Sequence, residues 1–280
     1  MMLPIHVAVV AETSAVASGD LSQVAAALQK QVTRDFTPLW DIQATVDAFP
    51  SLDDMPADYW PVIVKDQIDV AGAAGVHEDE NGQPFALVEM SDSWSLTASH
   101  ETLEMLGDPT GNRLVAGQSL KADQGRVLYL VELCDPCENA QFAYTANGIL
   151  VSDFITPSFE DPLTSPGVRY SFTGAVTAPH QVLKGGYISW QDESGQWWQQ
   201  TYLGSEPEFR QLGAMTQRRG SLRSWVDSQT RVPQLVHGLV EGDAALTRAR
   251  LQLSRVKMST SSRAERLRAH IDSLLHGASA

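Results

Sequence analysis

The chain has 280 residues, 43% of them hydrophobic and 8% aromatic, enough to bury a full core in one medium domain with appendages or in two small ones. Its net charge of −14 is uneven: residues 210–280 hold 12 Lys and Arg against 5 Asp and Glu, leaving 8 basic and 29 acidic residues in 1–209. So acidic a body argues against nucleic acid as a partner, and no run of about 18 apolar residues exists to span a membrane.

The β-branched run at 5–10 predicts a buried strand. It lacks a basic flank and is too short for a secretory signal, so a cytoplasmic setting is expected. Ser18 or Asp20 can cap the next helix, in which Leu21, Val24, Ala27, Leu28 and Val32 recur at helical spacing. Strands are predicted over 44–49 and 60–65, with a polar turn at 53–58 between them. Gly72-Ala73-Ala74-Gly75 opens a predicted loop carrying His77 and the acidic Glu78-Asp79-Glu80, and Asn81-Gly82 is a turn signal. A strand over 85–90 follows.

The next stretch runs Ser99-His100-Glu101-Thr102-Leu103-Glu104-Met105-Leu106-Gly107-Asp108-Pro109. Asp92 and Ser93 offer oxygens to a helix start. Gly107 is expected in a left-handed C′ conformation, with Pro109 barring continuation. His100, Glu104 and Asp108 recur at i, i+4 and i+8, which lines an imidazole and two carboxylates along one stripe. Such a pair of ligands suits a divalent metal, and the carboxylate of Glu101 lies on a neighbouring line, where it can activate water.

His100-Glu101-x-x-Glu104-x-x-Gly107 resembles the active-site helix of the zincin metallopeptidases, HExxH, continued as HExxHxxG in the metzincin branch. The resemblance implies His100 as a metal ligand, Glu101 as general base and Glu104 as a ligand in place of the second histidine. The metzincin third ligand would fall at Thr110, a poor donor, with Asp108 nearby. The order strand, helix, strand, strand, loop, strand, active helix is also similar to the upper half of a zincin domain. There an edge strand flanks the active helix and binds extended peptide by strand addition, and residues 85–90 are expected in that place.

Beyond Pro109 a strand is predicted over 126–131, and on its end stand Glu132, Asp135 and Glu138 among Cys134 and Cys137. Zincins carry downstream ligands, so these three acids form a second tier of candidates. Two cysteines are too few for a disulfide scaffold or a four-cysteine zinc site, and they read as ordinary thiols in a turn. Residues 149–155 predict a strand holding a buried Asp153, which must be paired, hydrogen-bonded or metal-bound. Ser93, His100 and Asp153 suggest a serine triad only weakly, since no G-x-S-x-G elbow exists. Strands are predicted over 168–176 and 186–200, the latter turning at Asp192-Glu193-Ser194-Gly195. Helices are expected from Pro233 and from Ser262.

These readings combine into an α+β chain: a zincin-like mixed sheet with an active-site helix over 1–165, a β-rich extension over 166–230 and a basic helical tail over 231–280. The expected function is a metal-dependent hydrolase, zinc first among its metals, acting on a peptide or protein. The expected metal ligands come from His100, Glu104, Asp108, Glu132, Asp135 and Glu138, and Glu101 is the base. The alternative is a catalytically inactive structural or assembly protein with a structural metal or none, using the C-terminal helices to meet a partner or a second copy.

Overall fold

The computed structural model describes residues 4–68, 73–80, 82–216 and 220–230. The basic tail at 231–280, with its expected helices, lies outside the described residues. The fold is mixed α+β, with several sheets and few helices.

The chain begins with β1 (Ile5–Glu12), whose Val7 to Val10 are fully buried, as suits a central strand covered on both faces. Helix α1 (Ser18–Lys30) starts without a side-chain cap and buries Leu21, Val24, Ala25, Ala27 and Leu28. It runs on through a π-helical turn, Gln31–Phe36, into the short α2 (Thr37–Trp40), and then come β2 (Ala44–Phe49) and β3 (Tyr59–Lys65). Next are β4 (Gly75–Glu80) and β5 (Gln83–Glu89), joined through Gly82, whose φ of +83° favours glycine.

The first sheet has the order β2-β1-β3-β5-β4. β1, β2, β3 and β5 are parallel, and β4 pairs antiparallel with β5. Two expectations are corrected here. Residues 75–80 form a strand rather than a loop, because their backbone completes a hairpin with β5 and an edge position tolerates the charges of Glu78, Asp79 and Glu80. The edge strand is therefore β4, and the strand expected at the edge, β5, lies inside between β3 and β4.

Helix α3 (Trp94–Gly107) follows, and all fourteen of its residues are buried. Its apolar positions Leu96, Ala98, Leu103, Met105 and Leu106 point in several directions, the pattern of a helix covered on every side. It packs on β4 and β5 and against β9 (Ile149–Val151). Ser93 precedes it without a side-chain cap bond. Gly107 is not left-handed: it is the last helical residue, and the helix ends at Asp108, whose φ of −138° and ψ of 79° are not helical. Glycine is needed there for space, since a Cβ would lie 2.2 Å from Leu133 Cδ1.

The second sheet, order β12-β11-β10-β7-β6, is antiparallel. It joins β6 (Leu114–Gln118) and β7 (Arg126–Leu130) to β10 (Tyr187–Gln191), β11 (Gln196–Thr201) and β12 (Glu208–Ala214). A small hairpin pairs β8 (Tyr144–Ala146) with β9 through Asn147 and Gly148, both at positive φ. The strand expected over 149–155 stops at Val151, and the one expected over 168–176 is absent. Its alternating apolar residues find no ladder partner beyond a single bridge, Ile155 to Ser171.

One main hydrophobic cluster reaches from Val7 of β1 to Trp190 of β10. A second joins Leu130 and Trp197 to α4 (Leu222–Gln229), where Val226 is buried with Leu222 and Trp225 packed around it. Ser221 caps α4 by accepting from Ser224 N, and Leu222 N and Arg223 N bond Asn112 Oδ1 and the Gly111 carbonyl. These bonds seat the first turn of α4 on the loop that leaves α3. No helix of the described residues is long and apolar enough to cross a membrane.

Candidate metal centre

Three elements meet at the last two turns of α3: β4 beside it, the loop after β7, and α4. The i, i+4 spacing sets His100 Nε2 3.5 Å from Glu104 Oε1. The loop after β7 brings in Asp135, whose Oδ1 lies 3.1 Å from the same nitrogen. That loop is fastened by Ile155 N to the Leu133 carbonyl and by Leu183 N to the Pro136 carbonyl. Cys134 N donates to Glu104 Oε1 at 2.9 Å, so loop and helix are tied at the ligand itself. Gly186 permits this closeness, since a Cβ there would lie 2.4 Å from the Asp135 carbonyl oxygen.

One ligand atom each from His100, Glu104 and Asp135 falls within 4.8 Å of the others, and all three residues are buried. Two donors bound at ~2.1 Å to a tetrahedral ion stand ~3.4 Å apart. The His100 separations of 3.1 and 3.5 Å suit that spacing. Both Asp135 oxygens are buried without a hydrogen bond. An N,O,O donor set that includes the under-bonded Asp135 carboxylate fits a divalent cation, and these three residues lie close enough to hold one.

The other candidates fall around this trio. Asp108 does not join it: its Oδ2 accepts from Arg113 N at 2.7 Å, and its carbonyl meets His77. Glu132 pairs with Arg223. Glu138 is buried beside Asp135, and burial with that neighbour pushes its pKa well up. Glu101 is 2% exposed and faces β4, where Gly75 leaves room; a Cβ there would lie 2.6 Å from Glu101 Oε1.

Three participants were not among the expected site residues. His77 of β4 points into the cluster, with Nδ1 3.6 Å from Glu101 Oε2 and 3.8 Å from Glu104 Oε2. Its Nε2 lies 3.1 Å from the Asp108 carbonyl, which can only accept, so that nitrogen carries the proton. Arg223 of α4 pairs with Glu104 and Glu132. It also lies 3.7 Å from Asp135 Oδ2, while its Nε is 3.5 Å from Asp227. Tyr187 stands at the start of β10 near Asp135, and burial with that neighbour pushes the pKa of its hydroxyl well up.

Electrostatics follow from this crowding. Five buried carboxyls (Glu101, Glu104, Glu132, Asp135, Glu138) face three basic groups, so negative charge exceeds positive even with both imidazoles protonated. Burial opposes a charge on His100, yet Glu104, Asp135 and Glu101 outweigh it and raise its pKa to about 10. Burial also acts against the Glu104 anion, but Arg223, His100 and His77 hold it at about 2. Asp135 rises to about 7, through burial and the neighbouring Glu104. Burial and the neighbouring carboxylates thus favour the neutral forms of Asp135 and Glu138, while the carboxylates around His100 favour its charged form.

Cys134 and Cys137 are free and buried, and burial raises both thiols well above their ordinary pKa. Asp153 is satisfied by Thr173, whose N and Oγ1 donate to it at 2.9 and 2.6 Å, so of the expected outcomes it is the hydrogen-bonded one. Ser99, next to His100, locks α3 in place: its hydroxyl donates to Gln31 Oε1 and accepts from Ser152 N.

Compared with known protein families, curated proteins and solved structures, the chain matches none.

Proposed function

We propose that this chain is a zincin-like metal-dependent hydrolase acting on a peptide bond, with a divalent metal, zinc first, held by His100, Glu104 and Asp135. The observation that carries the reading is the convergence of one ligand atom from each of these residues within 4.8 Å, on a helix whose next residue after His100 is a glutamate. Asp135 supplies the third ligand that the helix motif lacks. Further support comes from the first sheet, whose antiparallel edge strand β4 flanks the helix.

The chemistry a divalent cation supplies when bound is Lewis acidity toward a carbonyl and toward water. Glu101 takes the proton of the attacking water as oxygen adds to the carbonyl carbon, then delivers it to the leaving amine nitrogen as the C–N bond breaks. His77, fixed by the Asp108 carbonyl, stands beside the Glu101 carboxylate. The outer edge of β4 offers backbone N–H and C=O groups to an extended peptide. Two anionic ligands leave less net positive charge than a two-histidine site, so water in this centre is less acidic than in HExxH enzymes.

A second reading has its own observation. Glu101 is 2% exposed and Arg223 already pairs with Glu104, an arrangement that also suits an inactive structural protein of the same fold. Elemental analysis, with His100→Ala as control, and a peptide-library cleavage screen separate the two. The hydrolase reading expects about one metal per chain, lost in His100→Ala, and cleavage that Glu101→Gln lowers ~10²–10⁴-fold while metal stays bound. Metal content unchanged in His100→Ala overturns the metal centre, and metal without any cleavage leaves the structural reading.

A further inference from the structure

Arg223 reaches the centre from α4, and its surroundings pose a conflict. Its guanidinium pairs with Glu104, Glu132 and Asp135. Two of these, Glu104 and Asp135, also supply two of the three clustered ligand atoms. A guanidinium does not lose its proton in a protein, and this one is buried, so neither pH nor solvent removes its charge from the cluster. A dication and a guanidinium on the same two carboxylates repel each other at short range in a poorly screened interior.

We infer that Arg223 is an internal cation that competes with the metal for Glu104 and Asp135, so that the centre is either arginine-paired or metal-loaded. The inference rests on the proposed metal centre and concerns what controls its loading. The anatomy of α4 suits an exchange confined to one side chain. Val226, Leu222 and Trp225 anchor the helix on Leu130 and Trp197, and Ser221 with the Gly111 and Asn112 bonds fixes its first turn. The backbone therefore has no need to move. Glu132 and Asp227 are not among the three clustered ligands, and they remain as partners for the guanidinium when it yields the other two carboxylates. An arginine in this position sets a threshold: metal binds only where its affinity exceeds that of a charge already in place.

The test is a zinc titration of the full chain against a chelating indicator dye, with Arg223→Met and Arg223→Lys. Arg223→Met is expected to bind zinc roughly tenfold or more tightly than wild type, since buried carboxylates left uncompensated gain most from a new cation. Zinc should also raise the melting temperature of Arg223→Met more than that of wild type. If Arg223→Met does not fold, Arg223→Lys decides: an ammonium cannot bridge several carboxylates as a planar fork does, so tighter zinc binding than wild type is again expected. Zinc binding in wild type with equal or weaker binding in the folded variants overturns the competition and leaves the metal centre standing. No zinc uptake by wild type or by any variant overturns both.

Discussion

Replacing Gly107 by alanine tests whether the end of α3 is shaped by packing against the loop that carries Asp135. A Cβ at 107 would lie 2.2 Å from Leu133 Cδ1 and 2.8 Å from its Cγ. Carbon contacts settle near 3.5–4.0 Å, so the helix and Leu133 must separate by roughly 1.5 Å. Leu133 is fully buried and its neighbour Cys134 bonds Glu104, so it has little freedom to yield. Overpacking of this kind costs ~1–3 kcal/mol, and alanine returns at most ~1 kcal/mol of helix propensity. A net loss of about 1–2 kcal/mol lowers the melting temperature by roughly 2–8 °C in a chain of this size. Because the displaced loop holds Asp135 against His100, zinc affinity should fall with it. Scanning calorimetry of Gly107→Ala, Leu133→Ala and the double variant provides the assay. The cavity left by Leu133→Ala should absorb the new methyl, so the double variant is expected to be less destabilised than the sum of the singles. A Gly107→Ala protein as stable as wild type, or strict additivity in the cycle, would refute the steric account of Gly107.

Further outcomes concern the titration of the centre and the packing around it. His100 has a folded pKa of about 10 against an ordinary 6.5, so its ion pairs stabilise the metal-free protein fully below about pH 6.5 and are lost as pH rises toward 10. Asp135, raised to about 7, acts in the same direction, and zinc binding at pH 7.5 should release about one proton, read as different calorimetric enthalpies in Tris and phosphate; equal enthalpies would contradict it. Gly186→Ala should lower the melting temperature and the zinc affinity together, because its Cβ meets the Asp135 carbonyl, a backbone atom that cannot rotate aside. Gly204→Ala, with nothing within 4 Å, should stay within about 0.5 kcal/mol of wild type and serves as the control.

Local periodicity made β1, α1, β2, β3, the span of α3 and the hairpin of β10 and β11 legible in the sequence, because each is set by neighbouring residues. The pairing of His100 with Glu104 was legible for the same reason, being a property of one helix. Asp135 was visible only as one acid among several, since nothing local says which of Glu132, Asp135 and Glu138 turns toward the helix. His77 was hidden because Glu78, Asp79 and Glu80 give β4 a loop-like composition that only an edge position explains. Arg223 had no local signal at all: its partner Glu104 lies 119 residues earlier, and only the fold brings them together. Residues 168–176 erred the other way, with strand-like alternation that buries Tyr170 and Val176 without a sheet to join.

The distance along the chain between Glu104 and Arg223 also has a consequence in time. At ~5–20 residues per second, a ribosome needs roughly 6–24 s to add the 119 residues that separate them. Throughout that interval the acidic stripe of the nascent helix has been made and the arginine that will neutralise it has not. The carboxylates must stay hydrated or protonated, which keeps the helix from sinking into a dry interior before α4 arrives. Until α4 is made, water, protons and solution cations are the partners the stripe has, and the guanidinium must displace them when it arrives.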